Sequence, residues 1–162
     1  MPLSAPVKLA EYHQLDQFSS GETSLDDWLK NRARNNQASG ASSVYVSCDG
    51  NRVAACYSLS ASAVTATPTP GRFRRNMPDP IPVVLLGRLA IDTGWQRQGV
   101  GRSLFKDAAL RVSQAADAIG VRGIVVHAIS DTARKFYIAL GFTECPGEPM
   151  TLVVTLADIR AA

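Results

Sequence analysis

The sequence is poor in the residues that build a metal centre or a covalent scaffold. Its 162 residues include three cysteines and two histidines. Cys48, Cys56 and Cys145 are an odd number with no short paired spacing, which excludes a zinc-ribbon pattern and a disulfide framework. With His13 and His127 as the only histidines, no metal site is expected. Long hydrophobic runs are also missing. No apolar stretch approaches the roughly 20 residues that a membrane-spanning helix needs. The opening MPLSAPVKLAEYHQ lacks a basic start followed by an apolar block, so neither a secretory signal nor a membrane association is expected, and the cytoplasm is the expected location. The net charge of +3 is too small to announce nucleic-acid binding by itself. Its distribution matters more. Arg72, Arg74 and Arg75 fall within four residues, and Lys30, Arg32 and Arg34 form a second group. Either group alone is the pattern of a solvated surface.

What is present describes an ordinary globular chain, 46% hydrophobic and 19% charged, of a length that suits one domain. Val7 to Leu9 reads as a short first strand. SSGETSLDDWLKNRARNNQASG reads as one helix, capped by Thr23 or Ser24, with Asp26 and Asp27 in its first turn and Gly40 at its end. Ser43 to Cys48 and Arg52 to Ser60 flank Asp49-Gly50-Asn51, which predicts a β-hairpin. From Thr65 to Pro82, five prolines, one glycine and three arginines predict a long irregular loop. Loops of that length in compact domains are often functional.

Val83 to Ile91 predicts a buried strand in which Gly87 marks a bulge or a close backbone approach. A helix of about 18 residues follows, ending near Gly120, with Leu104, Ala108, Val112, Ala115 and Ile119 as its buried stripe. Arg122 to Ile129 is another strand, Asp131 to Leu140 a short helix closed by Gly141, and Met150 to Leu156 a final strand. The class is mixed α/β.

The chemistry concentrates at two places. In Leu89 to Arg102 a strand runs into a glycine-rich turn that opens a helix. Unsatisfied N–H groups and the helix dipole make such a turn a natural seat for a diphosphate. It has neither the G-x-x-x-x-G-K-[ST] of a P-loop nor the G-x-G-x-x-G of a dinucleotide fold. It does spell Gln96-x-x-Gly99-x-Gly101, which resembles the acetyl-CoA pyrophosphate loop of the GNAT superfamily. The second place lies about 30 residues on. There Asp131-Thr-Ala-Arg-Lys-Phe136-Tyr137-Ile-Ala-Leu140-Gly141-Phe142 resembles the GNAT segment whose tyrosine stands near the CoA sulfur as general acid. A phenol of pKa about 10 is a reasonable proton source for a thiolate of pKa about 8.5. The alternative for Tyr137 is simple packing, because Ala133, Phe136, Tyr137 and Leu140 share one helical face. The family's usual asparagine near Asp131 is absent, which leaves Ser130 or Asp131 as a helix N-cap.

The resemblance extends over nearly the whole chain to one subgroup, the GNAT toxins of bacterial toxin–antitoxin modules. It rests on FSSGETSLDDWLKNRARNNQASG, the hairpin ending AACYSLSASAV, the basic proline-rich stretch and PVVLLGRLAID. It implies a single GNAT domain over residues 1–162, with a mixed central sheet flanked by helices and a splayed strand pair forming the acetyl-CoA slot. It further implies acetyl transfer from acetyl-CoA to the α-amino group of aminoacyl-tRNA, a ribbon-helix-helix antitoxin and a homodimer.

Carried over by position, Leu89, Ala90 and Ile91 would face the CoA arm and offer an amide to the thioester carbonyl. Arg97, Gln98, Gly99, Val100, Gly101, Arg102 and Ser103 would cradle the pyrophosphate, with Phe136 beside the cofactor and Tyr137 as proton donor. Arg72, Arg74, Arg75, Arg88, Lys30 and Arg34 would meet tRNA phosphates. No residue stands out as general base: His127, Glu22 and Asp92 are candidates without a second indication. Two other readings stay open, a GNAT acting on a small amine or protein N-terminus, and a non-catalytic acyl-CoA sensor. A DNA-binding protein is disfavoured, because no basic recognition helix follows a turn.

Overall fold

The computed structural model describes residues 2–161. The chain divides into two compact units. One comprises the residues up to Ser60 together with Gly87–Ala108, the other Ala61–Leu86 and the residues from Ala109 onward.

The first unit begins with strand β1, Val7–Lys8, and two helices, α1 (Thr23–Asn31) and α2 (Ala33–Ala38). Leu25, Trp28, Leu29 and Ala33 recur at helical spacing and are all buried, which is why this stretch coils against the sheet. The single helix expected here is broken at Arg32, whose φ of −127° and ψ of −25° leave helical geometry. Long-range bonds accompany the break. Gln37 Nε2 donates to the Leu9 carbonyl and Gln37 Oε1 accepts from Val44 N, each at 2.8 Å. The expected caps are also corrected. Thr23 and Ser24 lie inside α1, Glu22 occupies the N-cap without a side-chain bond, and Asp26 instead accepts from Ser20 N and Oγ. Gly40, at φ +84°, follows α2 as expected.

The predicted hairpin is present. β2 (Ser43–Asp49) and β3 (Arg52–Val64) pair antiparallel from Ser43↔Leu59 to Asp49↔Arg52, around Gly50 at φ +64°. The unit's core gathers Phe18, Leu29, Val44, Val46, Val53 and Ala90. The Tyr57 hydroxyl, fully buried, donates to the Asp107 carboxylate.

In the second unit the proline-rich stretch is more regular than expected. It contains a helical turn, α3 (Gly71–Arg74), which starts after Pro70 and buries Phe73. β4 runs Ile81–Ile91 and crosses from the second unit into the first at Gly87. α4 (Val100–Ala115) is 16 residues long and buries Leu104, Ala108 and Val112. Ala115 and Ile119, expected in that stripe, are exposed, because the helix ends at Ala115 and Ile119 falls in the turns beyond it.

β5 (Gly123–His127), α5 (Asp131–Ala139), β6 (Thr143–Cys145), β7 (Glu148–Thr155) and α6 (Leu156–Ala161) complete the chain. A Cβ on Gly123 would lie 1.9 Å from the Val154 carbonyl oxygen, so only glycine fits there. Phe73, Ile81, Val83, Val125, Cys145 and Val153 form the unit's core.

The seven strands form a mixed sheet of order β1-β2-β3-β4-β5-β7-β6. β4 and β5 pair in parallel at Val84↔Ile124 and Leu85↔Val125. β7, the final strand expected from sequence, lies inside the sheet, and β6, which the sequence reading lacked, takes the edge beside it. All three cysteines are buried and free, and burial pushes the Cys56 thiol up to about 12.

Candidate active site

In the first unit β4 delivers the chain to the glycine-rich turn. The irregularity expected at Gly87 appears one residue on, at a left-handed Arg88 with φ +56°. Two side chains of β3 serve the carbonyls there. Ser58 Oγ donates to Gly87 O at 2.9 Å, and the Cys56 thiol donates to Arg88 O at 3.6 Å. The Arg88 guanidinium lies over the Trp28 ring, 5.3 Å from its centroid. Of the next residues Ala90 is buried, while Leu89 and Ile91 are half-buried.

Beyond Asp92 a 3-10 turn, Thr93–Trp95, leads into α4. Arg97 and Gly99 take positive φ, +63° and +81°, and Gln96 to Gly99 are all exposed. A Cβ on Gly99 would meet nothing within 4 Å, so the outer side of the turn is open. The first amides of α4 have no helical acceptor and lie at the positive end of the helix dipole. Arg97 and Arg102 have no hydrogen-bond or ion-pair partner among the described residues, and Arg102 and Ser103 are exposed. Open amides and two uncommitted guanidinium groups fit a diphosphate. A cleft of about 410 Å³ adjoins the turn at Gln98, Gly99 and Ser103, with Pro2–Pro6 and Ser47 among its walls. Sequence reasoning had no signal for that N-terminal wall.

In the second unit α5 presents Tyr137. Ser130 Oγ accepts from Ala133 N, and so caps α5 as the sequence suggested. Tyr137 is buried edge-on between Phe136 and Phe142, with ring centroids at 5.2 and 5.4 Å. Its hydroxyl makes no hydrogen bond to the described residues. Burial pushes the phenol up to about 12, above the value of about 10 assumed from sequence.

The basic loop is tied down rather than loose. Arg72 makes a bidentate pair with Asp158, at 2.5 and 2.6 Å. Arg74 donates to the carbonyls of Thr67 and Thr69, and Arg122 to those of Phe73 and Arg72. Arg75 is exposed without a partner among the described residues.

In the first unit Lys30 is likewise exposed and unpartnered among the described residues. Arg34, by contrast, donates to the carbonyls of Ala10, Glu11 and His13, so a phosphate contact there would compete with three internal bonds. None of the base candidates gains support. His127 is exposed beside Thr151 Oγ1, Glu22 sits at the N-cap of α1, and the Asp92 carboxylate accepts from Ser19 N and Gly94 N. Among the described residues no cluster could hold a metal ion, and no helix is long and apolar enough to cross a membrane.

Residues 72–151 match the family profile of the acetyltransferase (GNAT) domain. A curated relative from Mycobacterium tuberculosis (strain ATCC 25618 / H37Rv), described as a tRNA-acetylating toxin, is 46% identical over 158 residues, which cover 98% of this chain and 95% of its own. The chain belongs to the GNAT acetyltransferase family.

As a GNAT acetyltransferase it is an enzyme, and its mixed sheet flanked by helices is the architecture expected from sequence. Solved GNAT structures align over almost the full length. A tyrosine-to-phenylalanine mutant of KacT superposes with a TM-score of 0.91 at 26% identity, covering 99% of each chain. AtaT complexed with acetyl-methionyl-tRNAfMet gives 0.91 at 28% identity, covering 99% of this chain and 98% of its own. AtaTR bound with AcCoA gives 0.86 at 29% identity, covering 98% and 96%.

Proposed function

We propose that this GNAT enzyme moves the acetyl group of acetyl-CoA to the α-amino group of an aminoacyl-tRNA, and so acts as a translation-blocking toxin. The observation that carries this reading is the 46% identity, across nearly the whole chain, to a tRNA-acetylating toxin. The fold it shares with AtaT in complex with acetyl-methionyl-tRNAfMet supports it. An antitoxin partner follows from the same likeness, because the AtaT toxin has been solved bound to the C-terminus of its antitoxin AtaR. The reading includes one GNAT domain over residues 1–162, a ribbon-helix-helix class for the antitoxin, a homodimer and a cytoplasmic location.

Acetyl-CoA supplies an activated thioester when bound. The amides and arginines of Arg97–Ser103 hold its diphosphate, and Leu89, Ala90 and Ile91 line its arm. Tyr137 offers its proton to the departing sulfur. Full transfer from a phenol of pKa about 12 to a thiolate of pKa about 8.5 is uphill by roughly 5 kcal/mol. Tyr137 therefore acts chiefly as a hydrogen-bond donor that stabilises negative charge as it develops on sulfur. The acceptor needs little help. The ester lowers the basicity of an aminoacyl α-amine, so much of it is neutral near pH 7 and no strong base is required.

The direct test is labelled acetyl transfer to a pool of charged tRNAs, with uncharged tRNA as control. Label on charged tRNA alone is expected. Label on a polyamine or peptide but not on charged tRNA would replace this reading by a small-amine or N-terminal acetyltransferase.

The donor turn has its own test. Gly99→Val places a branched side chain at φ +81°, which costs roughly 1–2 kcal/mol of strain and obstructs the open side of the turn. Acetyl-CoA affinity is expected to fall about tenfold. An unchanged Kd in calorimetry would remove the turn from the site.

A further inference from the structure

A connected polar cluster outside the residues assigned to the ligands lies directly behind the donor turn. Asp92, buried at 8% exposure, accepts from Ser19 N at 3.0 Å through Oδ2 and from Gly94 N at 2.9 Å through Oδ1. Ser19 reciprocates, its carbonyl accepting from Thr93 N at 2.9 Å. Gln96 then closes the ring. Its Nε2 donates to Ser20 O and to Ile91 O, both at 2.8 Å. Ser20 is fixed in turn by Asp26, in the first turn of α1, through its amide at 3.0 Å and its hydroxyl at 2.7 Å. The end of β4, the 3-10 turn and the lead-in to α1 are thereby one hydrogen-bonded piece.

This arrangement gives the motif glutamine an unusual part. Both of its amide protons are committed to backbone carbonyls, so its side chain has no donor left for a phosphate. Immediately after it the chain enters the left-handed Arg97, a conformation that costs a non-glycine residue free energy unless the surroundings hold it, and then Gly99, also at positive φ, which glycine adopts freely. Asp92 and Gln96 fix the residue on which that strained segment starts. An anion-binding turn that is already in shape before the ligand arrives loses less entropy on binding.

We propose that Asp92 and Gln96 are positioning residues for acetyl-CoA, a clasp that locks the diphosphate turn to Ser19–Ser20 so that its amides are preformed. The inference rests on the donor assignment above and deepens it, because both side chains are committed to the protein's own backbone. Gln96→Met keeps the length of the side chain and removes both bonds. The exposed position of Gln96 keeps that variant foldable. Asp92→Asn is the second probe, since it turns one acceptor into a donor facing an amide.

Acetyl-CoA binding by calorimetry and amide hydrogen exchange on the ligand-free chain provide the readouts. Acetyl-pantetheine, which lacks the diphosphate, is the comparison donor. For both variants the Kd for acetyl-CoA is expected to rise about tenfold, with faster exchange at residues 97–101 and unchanged exchange at Ala108–Val112. Transfer from acetyl-pantetheine is expected to match wild type. Wild-type affinity for acetyl-CoA in Gln96→Met would overturn the clasp. Equal losses with both donors would reduce it to general stability, and a wild-type chain that binds no acetyl-CoA would instead overturn the donor assignment.

Discussion

Tyr137→Phe is expected to slow acetyl transfer by about 10²–10³-fold, the usual range for losing one donor that stabilises developing charge, while leaving acetyl-CoA affinity near wild type. The substitution keeps the ring against Phe136 and Phe142 and removes one hydroxyl that makes no hydrogen bond among the described residues. Little stability should therefore be lost at neutral pH. Tyrosine-to-phenylalanine mutants of KacT and AtaT hold the same fold as this chain, with TM-scores of 0.91 and 0.85.

The rate difference should persist from about pH 6 to 9, because a phenol with a pKa of about 12 stays protonated throughout. Its alkaline behaviour is a second check. The folded value lies above that of the unfolded chain, about 10, so the neutral phenol favours the folded state. That contribution is complete below pH 10 and is lost as pH rises through about 12. The phenylalanine variant should lack it in alkaline denaturation. Turnover equal to wild type at pH 7 would reduce Tyr137 to a packing residue.

A combined Arg72→Ala and Arg75→Ala change is expected to weaken tRNA binding about 10²-fold at low salt. The salt slope should flatten by roughly 0.7–0.9 for each phosphate that is no longer neutralised. Acetyl-CoA affinity should stay unchanged. Arg75 is the uncommitted guanidinium of the loop among the described residues. Arg72 is exposed and paired with a single carboxylate, Asp158, which a phosphate can replace at similar geometry. Arg74 differs in kind. Its bonds to Thr67 and Thr69 hold the loop itself, so Arg74→Ala should lower stability by about 1–2 kcal/mol and reach tRNA only indirectly. Filter binding of charged tRNA across a salt series separates these cases. An unaltered slope in the double variant would place the acceptor elsewhere.

These arginines show where reading the sequence ends. Their clustering is visible in the chain, but Asp158, which holds Arg72, lies 86 residues away. No local pattern reports such a partner. The strand, glycine-rich turn and helix start around Gly99 were legible for the opposite reason: they are consecutive, and the signals that shape them are local. The hairpin at Gly50 and the capped α5 were legible on the same grounds. β6 went unnoticed because Thr143-Glu144-Cys145 is too short to display an alternation. The break at Arg32 was hidden too, since bonds from Gln37 to Leu9 and Val44 override a continuous helical pattern. Tyr137 was placed by its motif, but its raised pKa arises from burial, which only the folded chain creates.

The three buried thiols have a consequence for life under oxidative attack. Peroxides, nitrosating agents and mixed-disulfide partners react with an accessible thiolate, and this chain has none to offer: Cys48, Cys56 and Cys145 are covered, and burial raises the pKa of each. The acyl transfer proposed above, through Tyr137 and backbone amides, gives none of these thiols a part in the chemistry.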